Sequence, residues 1–247
     1  MSPTWITAFL DSTPAAFDDS VAYWSALTGY DLSPPRGDAG EFATLVPRDG
    51  DAFLRVQRLA EGPDRIHLDL HVPDARAAAD AAVGLGATEV ADLGYVVLRS
   101  PGGFTFCYVT HEAATRPRPA TWPGGHSSLV DQVCLDIPAT SYDRESLFWS
   151  ELTGWEERGS TVSTDFHSLV RPAGQPIRLL LQRLHDPTGD VRAHLDWATS
   201  DRAAETERHV GLGATVRDTQ SHWTVLEDPT GRVYCLTDRD PETGVLP

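Results

Sequence analysis

Apolar residues recur along this chain with two different periods, and the change from one to the other marks out its elements. Phe17, Val21, Trp24 and Leu27 fall three or four residues apart, the spacing that collects side chains onto one stripe of a helix. Gly29 follows as a stop, because glycine takes the left-handed backbone of a helix end without strain. The pattern predicts a helix opening near Pro14 and closing at Gly29. Thr4–Leu10, Phe42–Val46 and Phe53–Leu59 are short β-prone runs and read as strands. Asp74–Leu85 reads as an alanine-rich second helix ended by Gly86. Val96–Arg99 and Phe104–Val109 then read as strands around the turn Ser100-Pro-Gly-Gly103.

The whole series occurs twice. Ser25-Ala-Leu-Thr-Gly-Tyr30 returns as Ser150-Glu-Leu-Thr-Gly-Trp155, Leu54-Arg-Val-Gln-Arg-Leu59 as Leu179-Leu-Leu-Gln-Arg-Leu184, and Val83-Gly-Leu-Gly-Ala-Thr88 without change as Val210-Gly-Leu-Gly-Ala-Thr215. The offset between Ser25 and Ser150 differs by two residues from that between His67 and His194, so the copies share one fold. Helices are expected over Ser141–Thr153 and Ser200–Leu212. Residues 113–127, rich in Pro and Gly and without an apolar period, read as a linker between a domain at 1–112 and another at 128–247. Each copy holds two βαβββ-like units. The expected class is α+β, with helices backing a curled, mainly antiparallel sheet in each of two tandem domains.

Charge removes several functions. The formal net charge is −16, which leaves no basic field for nucleic acid or an anionic membrane surface. No basic residue precedes the short apolar run Ile6–Leu10, and no apolar stretch approaches about 18 residues. A soluble, cytoplasmic protein is expected. Cys107, Cys134 and Cys235 are widely spaced and form no C-x-x-C, which suits reduced thiols. Every basic side chain is Arg, which we attribute to coding bias.

One repeated motif carries candidate chemistry. RIHLDLHVPD, from Arg65 to Asp74, recurs as RAHLDWATSD, from Arg192 to Asp201. Strand alternation puts His67, Asp69 and His71 on one face, and His194 and Asp196 likewise. If that face is a pocket, His67 with Asp69 and His194 with Asp196 are acid–base pairs in which the carboxylate orients the ring. The competing account is scaffold copied twice, each Asp being satisfied by Arg58 or Arg183 on a nearby strand. Trp24 and Trp149 lie on helical stripes and read as core. Trp155, Trp197 and Trp223 belong to the second copy, where Trp197 and Trp223 replace Leu70 and Tyr95 and give a richer aromatic lining for a planar ligand.

Three passages, YWSALTGY with FWSELTGW, HLDL with the following GLGAT, and DPTGRVYCL, resemble the vicinal oxygen chelate superfamily, which includes glyoxalase I, bleomycin-resistance proteins and extradiol dioxygenases. The resemblance covers nearly all residues outside the linker. It implies that each domain curls eight strands into a cup, with ligands drawn from the first, fourth, fifth and eighth. The matching positions are Thr7, Gln57, His67 and Cys107 in the first copy, and Gln132, Gln182, His194 and Cys235 in the second. A metal-using glyoxalase would show His or Gln, Glu, His and Glu; here both carboxylate positions are replaced. Divalent ions in oxygen-rich sites draw much of their affinity from anionic carboxylates, which neutral amides do not match.

The resulting expectation is a cup that binds a small organic molecule without the customary metal, either sequestering it or acting on it by acid–base chemistry. The second domain is the better candidate. Two alternatives stand beside it. One is a metal-dependent lyase, isomerase or dioxygenase with a divalent ion at His194 or His67. The other is a non-catalytic interaction protein whose cups are filled by their own side chains, Trp197 and Trp223 packing inward on each other. In relatives, sites also form between paired domains, so the two copies are expected to pair within one chain. Size-exclusion mass measurement should then give a monomer, and a stable dimer would count against that pairing.

Overall fold

The computed structural model describes residues 2–246 and contains four helices. In the first half, β1 (Trp5–Ser12) leads to α1 (Phe17–Thr28), then β2 (Asp31–Leu32), β3 (Phe42–Val46), β4 (Leu54–Arg58), β5 (Arg65–His71), α2 (Ala75–Gly84), β6 (Thr88–Asp92), β7 (Val96–Arg99) and β8 (Thr105–Val109). After β9 (Ala120–Thr121) the series repeats as β10 (Ser127–Ile137), α3 (Tyr142–Thr153), β11 (Glu157–Gly159), β12 (Phe166–Leu169), β13 (Arg178–Arg183), β14 (Arg192–Thr199), α4 (Arg202–Gly211), β15 (Thr215–Thr219), β16 (Trp223–Glu227) and β17 (Val233–Thr237). The short strand β9, inside the expected linker, pairs with Ser127 and Ser128 of β10.

Two mixed sheets result, both open. The first runs β2-β3-β4-β1-β5-β8-β7-β6 and the second β11-β12-β13-β10-β14-β17-β16-β15. This is the expected α+β class in two tandem domains. The described residues also resolve into two compact units: one holds residues 2–9 with Ile66–Thr115 and Val133–Ala193, the other Leu10–Arg65, Arg116–Gln132 and residues 194–246. Among the described residues no helix is long and apolar enough to cross a membrane.

Local chemistry explains the helix ends. Gly29 and Gly154 close α1 and α3 at φ of 69° and 67°, their N–H groups returning to the carbonyls of Ser25 and Ser150. Asp74 and Asp201 cap α2 and α4 by accepting from the N–H of Ala77 and Ala204. Strands β6 and β15 lie at sheet edges with most side chains in water. They carry no buried–exposed alternation, so the apolar pattern did not disclose them.

The polar tips of two core tryptophans are tied to acids. Trp24 and Trp149 are fully buried; their indole N–H groups donate to Asp228 (2.9 Å) and Glu145 (2.8 Å). Burial raises the Glu145 carboxyl above its ordinary range, although Ser100, Trp149 and the Gly102 N–H offset part of that. A third buried acid fixes α4. Glu205 accepts from Arg208, from the Ser128 hydroxyl and from the rings of His126 (2.7 Å) and His209 (3.0 Å), while Arg208 stacks over Trp122 at 3.6 Å.

Burial alone would raise the Glu205 carboxyl, but Arg208, His209 and Ser128 outweigh it and hold the group well below the carboxylate range. A carboxyl depressed by folding adds stability above its unfolded pKa of about 4.3 and loses it as pH falls. Wild-type stability should therefore decline from about pH 5 downward. Glu205→Gln should cost about 3 kcal/mol at neutral pH, because it removes the buried carboxylate that Arg208, His126 and His209 all meet, and should flatten this acid limb. Urea midpoints measured across the range check both; an unchanged pH slope in the variant contradicts the assignment.

Candidate active site on the His-x-Asp strands

Parallel pairing builds the same cluster in each copy. In the first, β5 runs parallel to β8 with Asp69 opposite Cys107; in the second, β14 runs parallel to β17 with Asp196 opposite Cys235. Opposed residues share a sheet face. One ligand-type atom from each of His67, Asp69 and Cys107 therefore lies within 4.8 Å of the others, and the same holds for His194, Asp196 and Cys235. The His-x-Asp face expected from alternation is thus present twice, each time with a cysteine beside it.

The first cluster is closed. His67 and Asp69 are each 6% exposed and Cys107 is 5% exposed. Phe9 of β1 stacks on the His67 imidazole, the centroids 4.4 Å apart and the planes inclined by 14°. His67 Nε2 is 3.7 Å from Asp69 Oδ1, longer than a hydrogen bond. Thr7 goes elsewhere: its hydroxyl lies 2.9 Å from Nε2 of His71, whose Nδ1 is 2.8 Å from the His111 carbonyl. In the neutral ring the Nδ1–H donates to that carbonyl and Nε2 accepts from the Thr7 hydroxyl. Gln57, half-buried on β4, pairs with Phe42 of β3.

The second cluster is more open and more strongly charged. The His194 side chain is 16% exposed, against 7% for His67. Its Nε2 lies 3.3 Å from Asp196 Oδ1, an oxygen without a hydrogen bond inside the protein, while Asp196 Oδ2 accepts from the Gln132 amide. Burial pushes the Asp196 carboxyl up, but His194, Arg239 and the Gln132 amide outweigh it and hold the group below its ordinary value. Arg239 is 6% exposed and donates to Asp131, which is fully buried. Burial disfavours its charge, yet Asp131 and Asp196 together hold the guanidinium pKa above the usual arginine value, with Cys235 also in electrostatic reach.

The remaining predicted residues divide. By register Trp223 opposes Thr237 and Val225 opposes Cys235, so Trp223 lies on the face of Cys235 and Asp196. Trp197 points the other way, opposed to Leu236 and packed edge-on against His209 of α4 with centroids 5.2 Å apart. The two tryptophans do not meet. Gln182 accepts from the Cys134 thiol at 3.4 Å. The strand arginines do not serve the motif: Arg58 pairs with Asp18 and Arg183 with Asp143, both at the surface. Sequence reasoning missed Arg239 and Asp131. The three cysteines are buried and none forms a disulfide.

This donor set fits a hard divalent ion poorly. Imidazole, thiol and one carboxylate would suit a softer ion, but Asp196 is the single acid of the second set and already answers Gln132, His194 and Arg239. An open depression of about 630 Å³, lined by His126, Ser200 and Arg208 among others, lies elsewhere, at the start of α4.

The glyoxalase-like domain family matches residues 7–109 and again 132–237. No curated protein matches the sequence. Among solved structures, the Mn(II)-bound glyoxalase from Novosphingobium aromaticivorans is similar at 17% identity with a TM-score of 0.67, over 100% of this chain and 87% of that one. A mutant of 4-hydroxymandelate synthase from Streptomyces coelicolor gives 16% and 0.65, over 96% and 93% of the two chains. The 2,2',3-trihydroxybiphenyl 1,2-dioxygenase of Sphingomonas wittichii gives 14% and 0.60, over 97% and 93%. Identities this low show a shared fold alone. With the family match falling on both halves, the chain belongs to the glyoxalase-like domain family and, through it, to the vicinal oxygen chelate superfamily.

Proposed function

We propose that this protein binds a small organic molecule on the His194–Asp196 face of its second glyoxalase-like domain and works there without a divalent metal, either sequestering the molecule or moving a proton on it. The carrying observation is the compensation of Asp196, whose negative charge is met by Gln132, His194 and Arg239. In this reading His194, the most exposed member of the cluster, exchanges the proton. Asp196 orients the ring and stabilises it when charged. Trp223 offers a flat apolar surface on the same side. The first cluster, with Phe9 over His67, serves as scaffold.

A second reading is favoured by one observation. Each copy gathers three ligand-capable atoms within 4.8 Å, which suits a metal-dependent lyase, isomerase or dioxygenase. Turnover appearing only on addition of Mn²⁺, Zn²⁺ or Fe²⁺, and abolished by His194→Ala, would establish that reading instead.

A thermal-shift screen with 2-oxo acids, aldehydes and planar aromatic acids tests the first reading, since a ligand of the folded state raises the melting point by mass action. A hit should lose about tenfold in affinity in His194→Gln, with little change in the melting point of the unliganded variant. Hits indifferent to His194→Gln and to Trp223→Ala would remove the proposal.

A further inference from the structure

Arg239 is the feature of the second cluster that has no counterpart in the first. Four residues beyond Cys107 stands His111, exposed, whereas four residues beyond Cys235 stands Arg239, buried. Its partner differs in the same sense: the residue before Thr7 is Ile6, and the residue before the matching Gln132 is Asp131. One copy thus holds a buried cation and its counter-ion where the other holds an apolar side chain and a surface histidine. Such a pair seldom improves stability over an apolar filling, because both charges lose their hydration. Its presence calls for another use.

Two observations indicate that use. Asp131, to which the guanidinium donates, is the strand neighbour of Gln132, whose amide donates to Asp196, and Asp196 and Cys235 both act on the guanidinium charge. In addition its Nε–H, inside a side chain 6% exposed, has no hydrogen-bond partner in the protein, an orphan of the kind that an oxygen of a bound molecule or water satisfies. We propose that Arg239 is a fixed cation standing in for a metal: its buried charge repels a divalent ion from the niche that His194, Asp196 and Cys235 would otherwise offer, and its free N–H meets an oxygen of the ligand. The inference rests on the metal-free reading of that site and gives its cause. The ligand class it implies is an oxygen-rich molecule that gathers negative charge, such as a carboxylate or an enolisable carbonyl compound.

Calorimetric titration of the full chain with MnCl₂ and ZnCl₂ tests the substitution with the metals alone. Wild type and Arg239→Lys, which keeps the charge, should show no site that depends on His194. Arg239→Gln should bind at least roughly tenfold more tightly than wild type once the repulsion is removed, and adding His194→Ala should abolish the gain. Because Arg239→Gln leaves Asp131 buried without its cation, Asp131→Asn with Arg239→Gln keeps the interior neutral and should show the same gain with a native circular dichroism spectrum. Folded variants that bind no better than wild type would overturn the inference. So would a gain in Arg239→Lys, or one confined to the single variant, where Asp131 itself would be the new ligand. A wild type that takes up an equivalent of metal through His194 would instead overturn the reading on which the inference stands.

Discussion

A carboxylate withdrawn from water has to be met by donors or opposite charge, and the shape of this protein's chemistry follows from how each buried acid is met. Glu205 is answered by an arginine, two imidazoles and a hydroxyl, which locks α4. Asp228 is answered by the indole of Trp24, which ties α1 into the core, and Glu145 by Trp149 of its own helix and by the Gly102 N–H, which ties down α3. Asp196 is answered by Gln132, His194 and Arg239, and that arrangement lies on the face of β14 that carries the His-x-Asp motif. The first two arrangements tie helices to the rest of the fold. The third keeps one partner, His194, partly open to solvent.

Duplication made the architecture legible. The recurrence of Leu-Thr-Gly after a helical stripe, and of Gly-Leu-Gly-Ala-Thr after a second helix, fixed two copies of one fold, and the strands at Phe42–Val46 and Val96–Arg99 appear at the expected limits. What stayed hidden was whatever lacked local pattern. Strands β6 and β15 are solvated edges, held by pairing rather than by an apolar face.

The site was legible in part for the same reason. Period-two alternation was enough to place His194 and Asp196 together, and parallel register then adds Cys235. Alternation also bears on Trp197, which sits between Asp196 and Ala198 and so faces α4 and His209. Arg239 lies past the last strand and meets Asp131 across more than a hundred residues of chain, a contact that only tertiary structure provides. One signal was nevertheless present: aligning the copies sets Asp131 against Ile6 and Arg239 against His111, a charge pair that appears at once in a single copy.

The same contrast gives the two halves different parts. Phe9 closes the first cluster by stacking on His67, while the second carries the opened imidazole, the aromatic Trp223 and the guanidinium. The negative charge of Asp196 is thus met by the cluster's own side chains, and the proposed metal-free binding rests on that balance. Elemental analysis of protein purified without chelator measures that directly. The account predicts well under one equivalent of manganese, zinc, nickel or iron per chain; a full equivalent per domain, retained through dialysis, would contradict it.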